Sequence, residues 1–272
     1  MGKTMSAHEY KRKKANKAKK EGIHIEDSGI HAFVATPAYN GKVDTDYAIA
    51  LAESCQMATM HGIRVTAVVI SNSCFIDLCR NTLVAMFLKT DCTHLFFIDS
   101  DLRWEPRALV GLLKSGRPVC AGAYRKREEP ESYPLTWIEE DGGVRLDGGW
   151  LKCSRVATGF LCIERRVIEE MAASSRLITQ ASPDFPHVPR LFYTDVLEDG
   201  RFIGEDYAWC DDYLAKYGDP IYLWPDFDMV HGGYACNFHK YMNDIAEKLM
   251  QEEERNASLK PMEPIHLGVA NG

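Results

Sequence analysis

Two acidic residues, Asp99 and Asp101, follow a short apolar run and are separated by Ser100. The apolar run, residues 95–98, is bounded by polar residues, which is typical of a strand buried on both faces. Carboxylates at the carboxyl end of such a strand need a partner, and ligands of open α/β sheets bind at this end. The pattern predicts oxygen ligands for a divalent cation that is shared with the phosphates of a substrate. The alternative is a solvated turn that caps the helix beginning near Pro106.

A second acidic pair, Glu205 and Asp206, follows an apolar segment and Gly204 at the predicted start of a helix. The helix dipole alone favours acids at this position. Because the preceding strand would bring them to the floor of a cleft, we also expect one of these carboxylates to serve as a general base.

Two further side chains could take part in the same chemistry. His231 ends a short apolar segment and precedes two glycines, and a neutral imidazole is a good ligand for a transition metal such as Mn²⁺. An isolated histidine, however, is more often a packed or surface residue. Arg80 precedes Asn81 on a predicted helix, where it could bind phosphate or a base or form a salt bridge on the helix face.

The elements that must position these residues alternate between strands and helices. Apolar runs rich in β-branched residues predict strands at 30–36, 64–70, 93–99 and 118–122. Residues 44–60, 75–88 and 106–114 have helical periodicity. Short connections between such elements imply right-handed crossovers and an α/β fold with a mixed, mainly parallel sheet and helices on both faces.

The second half of the chain is less regular. A strand is predicted at 155–164, with Gly159 in its middle marking the close approach of a ligand or of another backbone. Residues 174–190 contain three prolines and are expected to form a long loop. Helices are predicted at 204–217 and 239–255, and residues 256–272 form a loose tail. Neither a Gly-x-Gly-x-x-Gly strand–helix turn nor a P-loop sequence occurs, which disfavours a standard dinucleotide or P-loop enzyme.

Charge is distributed unevenly along the chain, whose net charge is −7. The first twenty residues contain eight Lys or Arg residues and one acid, a net charge of +7, which leaves −14 for the remainder. Residues 1–28 are therefore predicted to be a flexible basic arm. Such an arm could contact DNA or another polyanion, or it could be a solvated tail.

Composition restricts the class of protein further. A hydrophobic content of 46% and a charged content of 26% are ordinary for a globular protein, and no apolar run is long enough for a membrane span. Nine cysteines without a C-x-x-C spacing predict reduced thiols and a cytoplasmic location.

Taken in order along the chain, these segments resemble the GT-A fold glycosyltransferases, and more closely the family-two-like enzymes of bacteriophages and large DNA viruses. The resemblance covers residues 30–240 and rests on Thr36-Pro37-Ala38-Tyr39, Arg80-Asn81, Asp99-Ser100-Asp101, Gly159-Phe160, Glu205-Asp206 and His231. It implies a GT-A (Rossmann-like) domain at 29–255, with a nucleotide-binding half at 29–125 and an acceptor half at 126–240.

The resemblance also implies roles for individual residues. Asp99, Asp101 and His231 would hold Mn²⁺ or Mg²⁺ on the diphosphate of a nucleotide-sugar. Asp206 would be the catalytic base, with Glu205 in reserve. The remaining contacts to the nucleotide-sugar would come from Thr36, Pro37, Tyr39, Asp77, Arg80, Ser100 and Gly159.

The resulting hypothesis is a metal-dependent, inverting glycosyltransferase that uses a nucleotide-sugar, most simply a UDP-sugar. Its acceptor could be a hydroxymethylated pyrimidine of phage DNA or a cell-surface or capsid glycan. A nucleotidyltransferase and a non-catalytic nucleic-acid-binding protein are the alternatives from other classes. A nucleotidyltransferase typically has a glycine-rich phosphate loop after the first strand, and residues 37–41 match such a loop poorly.

Overall fold

The computed structural model describes residues 25–71, 74–139, 144 and 146–258. Its helices are α1 (Thr45–Met60), α2 (Ile76–Leu88), α3 (Pro106–Leu113), α4 (Arg165–Ser174), α5 (Glu205–Tyr217) and α6 (Phe238–Ser258). The strands before α4 are β1 (His31–Ala38), β2 (Arg64–Ser71), β3 (His94–Ile98), β4 (Leu102–Trp104), β5 (Val119–Gly122), β6 (Leu135–Trp137), β7 (Leu146–Asp147), β8 (Trp150–Val156) and β9 (Phe160–Glu164). The later strands are β10 (Leu177–Thr179), β11 (His187–Pro189), β12 (Asp195–Val196), β13 (Phe202–Ile203), β14 (Ile221–Trp224), β15 (Met229–His231) and β16 (Tyr234–Cys236).

The central sheet has nine strands in the order β2-β1-β3-β9-β5-β14-β8-β6, and β7 pairs with β8. β2, β1 and β3 are parallel, and β14 is parallel to β5. β9 lies antiparallel between β3 and β5, so β3 and β5 point the same way. This mixed, mainly parallel sheet confirms the predicted fold class, and the carboxyl ends of β1, β3 and β5 lie along one edge.

Helices cover both faces of the sheet, as the alternation of elements predicts. Apolar side chains of α2, α4 and α5 form the core on one face, and those of α1 and α3 form the core on the other. The strands between them are buried on both faces, and every residue of β3 from Leu95 to Ile98 has an exposed fraction of 0%. This burial explains why the sequence of β3 is a continuous apolar run and does not alternate.

A small sheet beside the central sheet places His231 close to Asp101. β4 follows Asp101 directly and pairs with β15, which pairs in turn with β16. In this register His231 lies opposite Leu102. Neither β4 nor β16 is predictable from the sequence, because three residues are too few for a period to be recognised.

Several predicted elements are corrected by the structure. β1 continues through Pro37 and Ala38, beyond the strand predicted at 30–36. The single strand predicted at 155–164 is wrong: β8 pairs with β14, whereas β9 pairs with β3 and β5, and the chain turns between them. The long loop predicted at 174–190 contains the paired strands β10 and β11.

The predicted ends of the chain fall largely outside the described residues. Within the proposed basic arm the structure describes residues 25–28, where the Ser28 amide donates to the carbonyl of Gly62. The terminal helix is present and runs from Phe238 to Ser258. Among the described residues, no helix combines the length and apolar character needed to cross a bilayer.

Candidate active site

The Asp99-Ser100-Asp101 turn is fixed by backbone hydrogen bonds from three parts of the chain. The carbonyl of Ser100 accepts from the Asp44 amide (2.9 Å), and the carbonyl of Asp101 accepts from the Gly232 amide (3.1 Å). The Asp99 amide donates to the carbonyl of Gly159 (2.9 Å). Since residues from before α1, between β8 and β9, and after β15 all contact this turn, its backbone is held in place.

The carboxylates of this turn border a cavity of about 540 Å³ at the carboxyl edge of the sheet. The second acidic pair and the histidine predicted from the sequence border the same cavity. Its lining is formed by Pro37, Tyr39, Asn40, Lys42, Asp44, Cys74, Ile76, Arg80, Asp99, Ser100, Asp101, Tyr124, Arg127, Glu205, Asp206, His231 and Gly232. The tertiary structure therefore brings together residues more than 190 positions apart in the chain.

Asp101 is the most strongly paired acid of the cavity. Its Oδ2 lies 2.8 Å from Nη1 of Arg127 and 3.5 Å from Nε2 of His231. Partial burial opposes ionisation of Asp101, but the hydrogen bond and charge of His231 and the Arg127 guanidinium outweigh it, and the pKa of Asp101 is lowered. Arg127 has an exposed fraction of 58%, so this cation can leave Asp101 without unpacking the core.

The orientation of His231 fits a metal ligand. Its Nδ1 donates to the carbonyl of Arg125 (2.7 Å), which leaves Nε2 facing Asp101. Metal-bound histidines commonly donate their second ring nitrogen to a carbonyl in this way. A nitrogen lone pair that faces a carboxylate requires a proton or a cation between them. Burial disfavours that proton, but the bonds to Asp101 and to the Arg125 carbonyl overcome it and raise the pKa of His231. The donor set, carboxylate oxygen plus imidazole nitrogen, fits Mn²⁺ or Mg²⁺ in the place of the proton.

Arg80 links the two acidic pairs. Its side chain is only 4% exposed, Nη2 donates to Oδ1 of Asp99 (3.0 Å), and Nε lies 3.4 Å from Oε1 of Glu205. Burial alone would lower the pKa of Arg80, but the charges of Asp99 and Glu205 raise it. The arginine therefore remains charged and fixes the separation of the acids on β3 from the acids on α5.

Asp206 has the properties of a general base. Burial and the adjacent charge of Glu205 raise its pKa to about 6, although the positive charge of Arg80 acts to lower it. Its Oδ1 accepts from the Tyr207 amide (2.9 Å), which orients the carboxylate at the first turn of α5. A carboxylate with a pKa near neutrality is ionised at pH 7 and remains basic enough to accept a proton from a substrate.

Close packing around Gly159 positions Asp99. A Cβ atom at Gly159 would lie 2.4 Å from both Oδ2 of Asp99 and the hydroxyl oxygen of Tyr124. The Gly159 amide donates to the same Tyr124 hydroxyl (3.0 Å). Burial and the charge of Asp99 raise the pKa of Tyr124 well above its ordinary value, so this phenol stays neutral. The close approach predicted at Gly159 is present, but the approaching groups belong to the protein.

Three residues predicted to contact the nucleotide lie outside the cavity lining. Thr36 is fully buried and its hydroxyl bonds that of Tyr47. Asp77 accepts from the Leu78 amide at the start of α2. Gly159 is buried beneath Asp99 and Tyr124. Thr36 and Asp77 direct their side chains into the protein or along the backbone, and Gly159 is covered by other side chains. The sequence pattern does not reveal these orientations.

Other residues of the cavity were not predicted as part of the site. Tyr124 and Arg127 follow β5, and Tyr124 lies edge-on to His231 with ring centroids 5.0 Å apart. Lys42 lies in the turn after β1. The position of Arg127 depends on Gly232, whose φ of +54° favours glycine and whose added Cβ would lie 2.4 Å from Cδ of Arg127. A glycine pair directly after a candidate metal ligand was the available signal.

No protein-family model matches the chain, and no curated protein matches it. Among solved structures, the inositol-1-phosphate CTP transferase from T. maritima has a TM-score of 0.41 at 10% identity, covering 73% of this chain and 86% of that one. A protein described as a glucose-1-phosphate thymidylyltransferase from Bacillus anthracis has a TM-score of 0.34 at 8% identity, covering 54% and 76%.

These structures do not support the glycosyltransferase hypothesis. Both proteins are named as nucleotidyltransferases, the class kept above as an alternative, and neither is named as a glycosyltransferase. The prediction of a nucleotide-sugar donor and of a sugar-transfer reaction is therefore corrected. TM-scores below 0.5 are too low to transfer a substrate from either protein to this chain, whose chemistry must be derived from its own residues.

Proposed function

We propose that this chain is a metal-dependent nucleotidyltransferase, which moves a nucleotidyl group from a nucleoside triphosphate to an acceptor oxygen and releases pyrophosphate. The observation that carries the proposal is the composition of the cavity. Five carboxylates and three permanently positive side chains border the cavity, so its net charge is −2 when His231 is neutral. A divalent cation would offset the repulsion between this cavity and a polyphosphate, and Asp101 and His231 would supply ligands for it.

The cations of the cavity suit a chain of phosphates. Lys42 and Arg127 are exposed at its mouth, whereas Arg80 is buried beneath Asp99 and Glu205. Displacement of Arg127 from Asp101 by a metal would leave a planar guanidinium free to bind phosphate oxygens in a bidentate manner. The turn formed by residues 39–44 also borders the cavity, so the segment after β1 lies where a phosphate loop is needed.

The proposed reaction uses the two acidic pairs differently. The acceptor oxygen forms a bond to the α-phosphorus while the bond from that phosphorus to the pyrophosphate oxygen breaks. Asp206 accepts the proton of the acceptor oxygen, for which its raised pKa suits it. Asp101 and His231 would hold the metal, whereas Asp99 accepts from Arg80 and packs against Gly159 at the wall of the same cavity. A divalent cation bound there supplies Lewis-acid neutralisation of the charge on the phosphate oxygens.

The first test is binding of nucleoside triphosphates to the full chain. Thermal midpoints are measured with ATP, CTP, GTP, UTP and dTTP, each with and without Mn²⁺ or Mg²⁺. Binding at 100 times the dissociation constant stabilises the folded state by about 2.7 kcal/mol. We expect one class of triphosphate to raise the midpoint only with metal, and Asp101→Asn to abolish the rise while Asp219→Asn, an exposed acid elsewhere, retains it.

The second test is the product. With the stabilising triphosphate and a panel of phosphorylated and unphosphorylated sugars and polyols, we expect metal-dependent release of pyrophosphate. Release of a nucleoside diphosphate from a pre-formed nucleotide conjugate, without pyrophosphate from any triphosphate, would overturn the proposal. The absence of stabilisation by every triphosphate would overturn it at the binding step.

A further inference from the structure

A second group of potential metal ligands lies at the opposite edge of the sheet from the cavity. His31 is the first residue of β1, and Asp91 and Cys92 lie between α2 and β3. Because β1 and β3 are parallel, their amino ends meet at this edge. We propose that His31, Asp91 and Cys92 form a Zn²⁺ site that is independent of the candidate active site.

The three side chains each place one ligand atom in a small volume. The ring nitrogen of His31, a carboxylate oxygen of Asp91 and Sγ of Cys92 all lie within 4.8 Å of one another. Tetrahedral Zn²⁺ has bonds of about 2.0–2.3 Å to such atoms, so small adjustments of the side chains are enough to close the site. The set contains one nitrogen, one oxygen and one sulfur donor, a mixture that suits borderline-soft Zn²⁺ better than Mg²⁺ or Ca²⁺.

The geometry of His31 is the observation that points to a ligand. Its Nε2 is 2.8 Å from the Thr66 hydroxyl, which fixes the ring. Its Nδ1 is buried and has no hydrogen-bond partner, although Oδ1 of Asp91 is only 3.3 Å away. The carboxylate is thus close to Nδ1 but outside hydrogen-bond geometry, and a buried ring nitrogen without a partner is costly. A metal ion between Nδ1, Asp91 and Cys92 would satisfy it.

The surroundings provide the outer contacts that a metal site needs. In the proposed site Nε2 of His31 donates to Thr66, so that Nδ1 presents its lone pair to the metal. Arg64 lies 3.9 Å from the other carboxylate oxygen of Asp91, which leaves Oδ1 for the metal. Arg64 is 58% exposed, so its side chain can move away from the positive charge of a bound metal ion. Asp91 is 76% exposed, so water can occupy the fourth position.

Binding at this site would join the start of β1 to the connection before β3. The Cys92 thiol loses its proton to solvent as the sulfur–metal bond forms, and no oxidation or reduction takes place. Since the folded state brings the three ligands together, bound Zn²⁺ would raise the thermal stability of the chain without contacting the cavity at the carboxyl edge.

Co²⁺ is the probe that distinguishes this site, because a cobalt–thiolate bond gives a charge-transfer band in the near ultraviolet. The reduced, metal-free full chain is titrated with Co²⁺ and then with Zn²⁺. We expect a thiolate band that Zn²⁺ displaces, that disappears in Cys92→Ser and that persists in the matched control Cys55→Ser. The band should also persist in Asp101→Ala, which removes one ligand of the candidate metal site in the cavity.

A second variant covers the possibility that Cys92→Ser, a change at a buried position, does not fold. Asp91→Asn alters an exposed side chain and should weaken Co²⁺ binding at least about tenfold, whereas Asp219→Asn should not. The inference is overturned if the wild-type chain gives no thiolate band, or if the band survives Cys92→Ser or is unaffected by Asp91→Asn. These results do not depend on turnover, so they stand or fall separately from the proposed nucleotidyl transfer.

Discussion

Replacing Gly159 by Ala tests whether the position of Asp99 controls catalysis. The backbone at Gly159 is not in the left-handed region, so an alanine introduces no backbone strain there. Its Cβ would instead lie 2.4 Å from both Oδ2 of Asp99 and the hydroxyl oxygen of Tyr124. One methyl group therefore perturbs two side chains of the candidate active site without touching the substrate itself.

The size of the perturbation follows from these distances. Ordinary van der Waals contact begins near 3.4 Å, so the two oxygens must retreat by about 1 Å. A displacement of about 1 Å at a reacting centre can reduce turnover about 100-fold. Overpacking a buried position costs about 1–3 kcal/mol of folding stability. We therefore expect Gly159→Ala to fold with reduced stability and to release pyrophosphate about 100 times more slowly per folded molecule.

A matched control separates crowding in general from crowding at Asp99. An alanine Cβ at Gly111 would lie 2.1 Å from Cζ3 of Trp224, remote from the cavity. Gly111→Ala should lose comparable stability in urea unfolding but retain the wild-type kcat. Combining Gly159→Ala with Tyr124→Phe removes one of the two clashing oxygens and should recover part of the stability. Wild-type turnover in folded Gly159→Ala would refute the requirement for a fixed Asp99.

Three further predictions concern individual side chains. Burial and Glu205 raise the pKa of Asp206 to about 6, so its contribution to stability is present below its ordinary pKa and is lost as the pH rises through about 6. Asp206→Asn should accordingly melt at a higher temperature than the wild type at about pH 8 but not at about pH 4, and midpoints equal to those of the wild type at both pH values would contradict this. The same substitution should lower turnover at least about 100-fold. Arg127→Ala should raise the KM for the triphosphate about tenfold and, because Arg127 is exposed, change stability by less than about 0.5 kcal/mol, whereas the exposed control Arg201→Ala should leave KM unchanged. His231→Ala should shift the metal dependence of pyrophosphate release to about 10–100-fold higher Mn²⁺ concentration, and an unaltered metal titration would exclude His231 as a ligand.

The first half of the fold is predictable from the sequence because its signals are local. The apolar run of β3 and the helical periods around it predict buried strands and covering helices, and the structure confirms them. The same patterns place Asp99 and Asp101 at the carboxyl end of a central strand. The second half is harder to predict, since strands there such as β10, β11 and β16 have only three residues each and depend on tertiary pairing.

Sequence patterns also identify residue types without their directions. Arg80 and Asp206 were recognised as candidates, and both border the cavity. Thr36 has an equally suggestive position at the end of β1, but its side chain points into the core against Tyr47. A strand alternates its side chains between two faces, and when both faces are buried the sequence does not indicate which one faces the site.

What the sequence by itself determined is therefore the class of fold and the presence of acids at strand ends and helix starts. Only the tertiary structure decided which of them share a cavity, because that depends on contacts between distant segments. The pairing of β4 with β15 brings His231 to Asp101, and Arg80 joins the acids of β3 to those of α5. Such contacts have no periodicity in the chain, because each is set by the packing of separate elements and by the exclusion of water between them.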